Sequence, residues 1–190
     1  MNELIKKHIL AHKTVLDSIF QLDESIEKVA NTFISCLEKG GTIFWCGNGG
    51  SASDSQHLAG ELVGRFVEER KPLKSISLTA DSAVMTCIVN DYGYEHIFSR
   101  QLEALGSKGD VLVAISTSGN SKNIIKAIEK ANKMDIVTIG LLGKGGGKAV
   151  NIAQHSIIVP SKITARIQEM HILIGHILCD LIEVGLNLKK

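Results

Sequence analysis

The stretch TIFWCGNGGSASDSQHLAGEL, residues 42–62, decides the fold. It opens on a short apolar run, Thr42–Cys46, turns sharply through Gly47-Asn48-Gly49-Gly50-Ser51-Ala52, and continues as a helix. The same order recurs downstream, where the apolar run Val111–Ile115 enters Ser116-Thr117-Ser118-Gly119-Asn120-Ser121 and a second helix follows. Three further runs, Ser75–Leu78, Ile136–Leu141 and Ser156–Val159, have strand length, and helical segments lie between several of them. Near-continuous apolar strands alternating with helices belong to a parallel sheet covered on both faces. The expectation is an α/β protein, a three-layer α/β/α sandwich on a five-stranded parallel sheet.

Working outward, residues 1–40 carry two helical stripes, Ile5, Ile9, Leu16 and Ile19, then Ile26, Val29, Phe33 and Leu37, with Asp23 as N-cap of the second helix. Two helices ahead of the first strand exceed what one layer needs, so their stripes are expected in an oligomer interface. Residues 163–188 read as one long helix with Ile167, Met170, Ile174, Ile177, Leu178 and Leu181 inward. No linker, second domain or low-complexity tract interrupts residues 1–190, so one domain is expected.

Lys plus Arg number 21 against 20 Asp plus Glu, a balance that offers no field to draw nucleic acid or anionic lipid. Any bound anion must be held by a local site. Cys36, Cys46, Cys87 and Cys179 form no CxxC pair and lie in apolar stretches, which reads as buried, reduced thiols. The N-terminus has regularly spaced charges instead of a signal-peptide core, and no run approaches the ~20 apolar residues of a membrane helix. Cytoplasm is the expected compartment.

In a parallel sheet both Gly/Ser loops fall at the carboxyl edge, where ligands bind, each leading into a helix N-terminus whose free N–H groups suit a phosphate. Ser116, Thr117, Ser118 and Ser121 add four hydroxyls. A Ser-rich turn that merely caps its helix is the plain alternative, but a cap needs only one hydroxyl. Neither loop is a Walker A motif, and Gly47, Gly49 and Gly50 lack GxGxxG spacing, so a small phosphorylated metabolite fits better than a nucleotide.

His57 and Glu61, four apart, share a helix face, with Arg65 continuing it and Asp54 a turn earlier. Such a pair can ligate a divalent metal, serve as an acid/base couple, or be a solvated ion pair. His176 stands among Ile172, Ile174, Ile177 and Leu178, about two turns beyond Gln168, where a histidine is most often a hydrogen-bonded core residue, and His171 reads as one too. Asn90-Asp91-Tyr92-Gly93 and Gly143-Lys144-Gly145-Gly146-Gly147-Lys148 read locally as turns, the second flexible.

Together with FSRQLEALGSKGDVL (98–112), ISTSGNS (115–121) and RIQEMHILIGH (166–176), the stretch CGNGGSASDSQHLAGEL (46–62) and Asn90-Asp91 make the chain similar to the sugar isomerase (SIS) domains, closely to the phosphoheptose isomerases. The likeness spans essentially the whole chain. ISTSGNS alone indicates any SIS domain, and its combination with QHLAGEL and RIQEMHILIGH is far more specific.

The resemblance implies isomerisation of sedoheptulose 7-phosphate to D-glycero-D-manno-heptose 7-phosphate, the opening step of nucleotide-heptose synthesis for lipopolysaccharide or surface polysaccharide. It implies phosphate contacts from Ser116, Thr117, Ser118 and Ser121, and sugar contacts from Asn48, Gly49, Gly50, Ser51, Glu61, Asn90, Asp91 and Gln168, with Arg65 nearby. It implies Glu61 and His176 as acid/base pair, one Zn2+ per subunit on His57, Glu61, Gln168 and His176, and a homotetramer. Ala165 supplies no polar group beside Arg166. Two rivals stand beside this reading: an isomerase of another sugar phosphate, and a non-catalytic SIS-type binding or regulatory protein. Against the second, a binding module has no need of an acid/base pair.

Overall fold

The computed structural model describes residues 1–188, so the last two positions of the expected domain lie outside the described residues. The strands β1 (Ile43–Gly47), β2 (Ser75–Ser77), β3 (Val111–Ser116), β4 (Val137–Gly143) and β5 (His155–Val159) form one sheet in the order β2-β1-β3-β4-β5. Every pairing is parallel, and Gly47 lies level with Ile115. The five strands expected from the sequence are all present, with ends shifted by at most two residues. β1 and β3 are buried at every position, which is why they read as continuous apolar runs rather than alternating ones.

Alternate residues of these strands feed two cores. Ile43, Trp45, Val111, Val113 and Ile115 face α2 (Asp23–Glu38), α3 (Gly50–Val63) and α7 (Thr164–Gly185). Phe44, Cys46, Leu112 and Ala114 face α4 (Ser82–Tyr92), α5 (Ser99–Leu105) and α6 (Lys122–Lys133). The strand period of two thus sorts side chains into the two outer layers of the sandwich.

The chain passes from β1 to β2 on one side and then returns to place β3 on the other side of β1. That reversal opens a crevice at the carboxyl ends of β1 and β3, where both Gly/Ser loops emerge. α3 follows β1 and α7 follows β5, yet both lie over the same sheet face and pack on each other. At Gly175 a Cβ would sit 2.5 Å from both methyl carbons of Leu58, so the missing side chain lets α7 approach α3.

Several local expectations change. Asp23 is the first helical residue rather than the cap, because Leu22 occupies the capping position and the Asp23 carboxylate accepts from the neighbouring Glu24 N–H. Asn90 and Asp91 lie in the last turn of α4, since the residue that needs positive φ is Gly93, at 90°. α3 stops at Val63, so Arg65 leaves the helix and sits in the following loop. Cys36, Cys46 and Cys179 are buried, whereas Cys87 is exposed on α4.

Of the N-terminal stripes, Ile26, Val29 and Phe33 are buried within the chain's own core. On α1 (Asn2–Ile19), Ile5 and Ile9 are exposed. Ile177 and Leu181, expected inward, are half-buried and line a groove of about 560 Å³ with Leu16, Ile19, Phe20 and Leu173.

His171 is wholly buried, with Nε2 3.0 Å from the Leu142 carbonyl, and its Nδ1 has no partner. Burial pulls its pKa from 6.5 down to about 4 despite that hydrogen bond. Above pH 6.5 it is neutral in both folded and unfolded chains. As pH falls towards 4, the unfolded chain takes up the proton and the folded one does not, so stability is lost by roughly 3 kcal/mol. Urea midpoints measured between pH 7 and 4 should fall less steeply in His171→Gln than in the parent.

Candidate active site

Two loops and two helices, α3 and α7, build the site. In the β1–α3 loop, Gly49 has φ 57°, and the α3 N-terminus begins at Gly50. A Cβ on Gly50 would approach Gln168 Nε2 to 2.5 Å, so the glycine makes room for the Gln168 amide from α7. Ser51 is buried, its carbonyl accepting from Ser55 Oγ at 2.8 Å.

In the β3–α6 loop, Ser116 Oγ accepts from Gly119 N at 3.1 Å and Ser118 Oγ from Asn120 N at 3.2 Å. These bonds shape the loop and leave the hydroxyl protons available to an acceptor. Ser121 occupies the N-cap position of α6 without a side-chain cap bond, which weighs against the simple capping alternative. The 143–148 turn is tied down, not loose. Ala149 N donates to Gly119 O at 2.9 Å, and Lys148 N to Asn120 Oδ1 at 3.1 Å.

Close packing of α3 on α7 brings His57, Glu61 and His176 together, their ligand atoms all within 4.8 Å of one another. His57 Nε2 is 3.1 Å from Glu61 Oε1 and 3.0 Å from His176 Nε2. Two imidazole nitrogens and a carboxylate oxygen within 4.8 Å of one another match the donor set of a zinc site, so these residues fit the metal that the resemblance implies. His176 also stacks on Phe66, centroids 5.4 Å apart and planes inclined by 24°. Asp54, one turn before His57, has a buried and unpartnered Oδ2, and burial raises its pKa although nearby His57 pulls it down.

Other expected residues are placed less directly. Arg65 is exposed and donates from Nη1 to Val67 O. Asn90 donates to Asp91 Oδ1 at 2.7 Å, both exposed. Two residues not picked out in the sequence, Asn123 and Tyr94, complete the crevice around Asn48. Asn48 and the buried Asn123 exchange amide hydrogen bonds of 3.0 and 2.8 Å, and Tyr94 Oη donates to Asn48 Oδ1 at 2.7 Å. The first loop is thereby strapped to α6, and one N–H of Asn48 is left for a ligand. Asn123 lies only two residues beyond Ser121, but nothing in its local sequence says that it faces Asn48.

The comparisons with known proteins follow this geometry. Residues 9–143 match the SIS domain. A phosphoheptose isomerase from Helicobacter pylori is 54% identical over 184 residues, covering 96% of each chain. The structure of phosphoheptose isomerase GmhA from Neisseria gonorrhoeae superposes with a TM-score of 0.92 at 41% identity, covering 96% of this chain and 98% of that one. One from Francisella tularensis gives 0.93 at 38% identity, covering 96% and 97%. This chain belongs to the SIS-domain family and, within it, to the phosphoheptose isomerases.

Proposed function

We propose that the chain isomerises sedoheptulose 7-phosphate to D-glycero-D-manno-heptose 7-phosphate, with Glu61 and His176 moving the protons. The observation that carries this reading is the convergence of Glu61, His57 and His176, two of them on the helix that the first Gly/Ser loop leads into. The isomerisation moves a carbonyl from C2 to C1. A base removes a proton from C1, an enediol or enediolate forms, and a proton returns at C2. Glu61 Oε1 transfers the carbon-bound proton, and His176 relays the proton between the two oxygens. Each such group typically contributes ~10²–10⁴-fold.

Ser116, Thr117, Ser118 and Ser121 hold the phosphate. Asn48, Gly49, Gly50, Ser51, Asn90, Asp91 and Gln168 line the sugar chain, with Arg65 at its edge. His57, Glu61, Gln168 and His176 would hold one zinc ion, which supplies Lewis-acid polarisation of the carbonyl when bound. The apolar groove between α1 and α7 and the exposed Ile5 and Ile9 support a homotetramer with α1 in its interfaces. Among the described residues no helix is long and apolar enough to cross a membrane. Residues 1–190 acting as one cytoplasmic SIS domain, without nucleic acid or membrane partners, complete the proposal.

Turnover in deuterated water, followed by NMR, tests the proton route. Deuterium at C2 of the product is the expected result. Product formed with no solvent deuterium at C2 would mean that the C1 hydrogen is carried to C2 without exchange, by internal proton return or hydride migration, and no product from sedoheptulose 7-phosphate would reject the substrate. Ser118→Ala should raise KM and leave kcat nearly unchanged, because a phosphate contact is made about equally in the ground and transition states. A collapsed kcat at constant KM would remove Ser118 from the phosphate site.

A further inference from the structure

We propose that Phe66 is a positioning residue for the His176 imidazole, and that a buried Glu183–Arg70 clamp holds Phe66 in place. The inference rests on the reading of His176 as an acid/base group.

Residues 64–74 have no regular secondary structure, yet their course is tightly specified. The backbone N–H groups of Phe66, Val67 and Glu68 all converge on the Glu183 carboxylate, at 3.2, 3.3 and 3.1 Å. Arg70 Nε adds a fourth bond at 2.9 Å. Three successive amides and a guanidinium form an anion nest for one carboxylate. Burial alone would raise the Glu183 pKa, but the four donors outweigh it and the pKa lies below its ordinary value.

The Arg70 and Glu183 side chains are 1% and 0% exposed. Removing two charges from water is costly, and a buried ion pair is often no more stabilising than apolar residues of equal volume. What distinguishes this pair is where its geometry places the loop. Glu183 lies seven residues beyond His176 on α7, two turns along one helix face. A loop pinned to Glu183 is laid along that face, and Phe66 is thereby set against the His176 ring, 5.4 Å away and inclined by 24°. Arg70 reaches the other catalytic helix as well, donating from Nη2 to Glu61 O and from Nη1 to Leu62 O at 2.8 and 2.9 Å. These are carbonyls of the last turn of α3, which carries Glu61.

The clamp thus holds the end of the helix bearing Glu61 and orients the ring that lies on His176. With one face of the imidazole covered by Phe66, rotation is restricted and Nε2 is kept turned towards His57, 3.0 Å away. Small misplacements of a reacting group are costly to rate, about 10²-fold for 1 Å.

The test compares Phe66→Leu, which keeps apolar bulk and removes the aromatic ring, with Phe66→Tyr, which retains the ring. Phe66→Leu should lower kcat by about tenfold or more with KM little changed, and Phe66→Tyr should restore kcat. The second readout needs no turnover. In metal-free protein, the His176 ring protons, assigned by their loss in His176→Gln, should lose their ring-current shift in Phe66→Leu. In Glu183→Gln, or Arg70→Met should the first not fold, they should move the same way. Unchanged kcat and unchanged His176 signals in Phe66→Leu would overturn the proposal. Normal turnover by His176→Gln would instead remove the acid/base reading on which it rests. An inactive His176→Gln beside a fully active Phe66→Leu would reject the positioning role alone.

Discussion

Replacing Glu61 by Gln should lower kcat by ~10²–10⁴-fold while the chain still folds, and His176→Gln should do the same. Gln keeps the volume of the Glu61 side chain and removes its capacity to take a proton. Glu61 is about one-quarter exposed, facing His57 Nε2 at 3.1 Å, so the substitution leaves no buried charge uncompensated. Steady-state kinetics with sedoheptulose 7-phosphate, with a thermal melt for each variant, decides the matter. Zinc content measured on the same samples separates lost proton transfer from lost metal. An active Glu61→Gln enzyme would move the C1 proton transfer to another group. If the two substitutions act on one coupled step, the double variant should be little worse than either single one.

The second large effect is expected at Gly119. Its φ is 63°, and a Cβ built there would lie 1.8 Å from the Gly146 carbonyl oxygen and 2.4 Å from its carbon. Backbone atoms cannot yield as a flexible side chain does. Gly119→Ala must therefore displace the serine loop, the 143–148 turn, or both, and break the bond from Ala149 N to Gly119 O. We expect a loss on the order of 3 kcal/mol, about 6–12 °C in Tm at this chain length, together with a sharp rise in KM. Gly40→Ala isolates the backbone cost, because Gly40 also has positive φ, 76°, but no atom within 4 Å of a built Cβ. That variant should lose roughly 1–2 kcal/mol and keep its KM. Equal effects at the two positions would show that the contact with Gly146 does not shape the serine loop.

Much of the molecule was legible before any coordinates. Strands buried on both faces announce themselves as unbroken apolar runs, and each Gly/Ser loop stands directly between a strand and a helix. His57 and Glu61 are paired by helical spacing alone. The errors have local causes. The residue types of Asn90 and Asp91 favour a turn, whereas the chain stays helical until Gly93, which has positive φ. Helical spacing puts Arg65 on the His57–Glu61 face, but α3 ends at Val63. The apolar stripe of α2 resembled a surface for another subunit and is buried against the chain's own sheet.

By itself, the sequence determined the layered α/β class, the two Gly/Ser loops between strand and helix and the residue types capable of the chemistry, since each follows from contacts a few residues apart. The tertiary structure decided how these parts meet. Residues 57 and 176 become neighbours only because the sheet order puts α3 and α7 over the same face and Gly175 lets them close. Likewise Asn123 meets Asn48, and Glu183 gathers the loop that sets Phe66 on His176, through partners 75 and more than 100 residues away in the chain. Periodicity records which face a side chain occupies on its own element, and carries no record of which other element that face will meet.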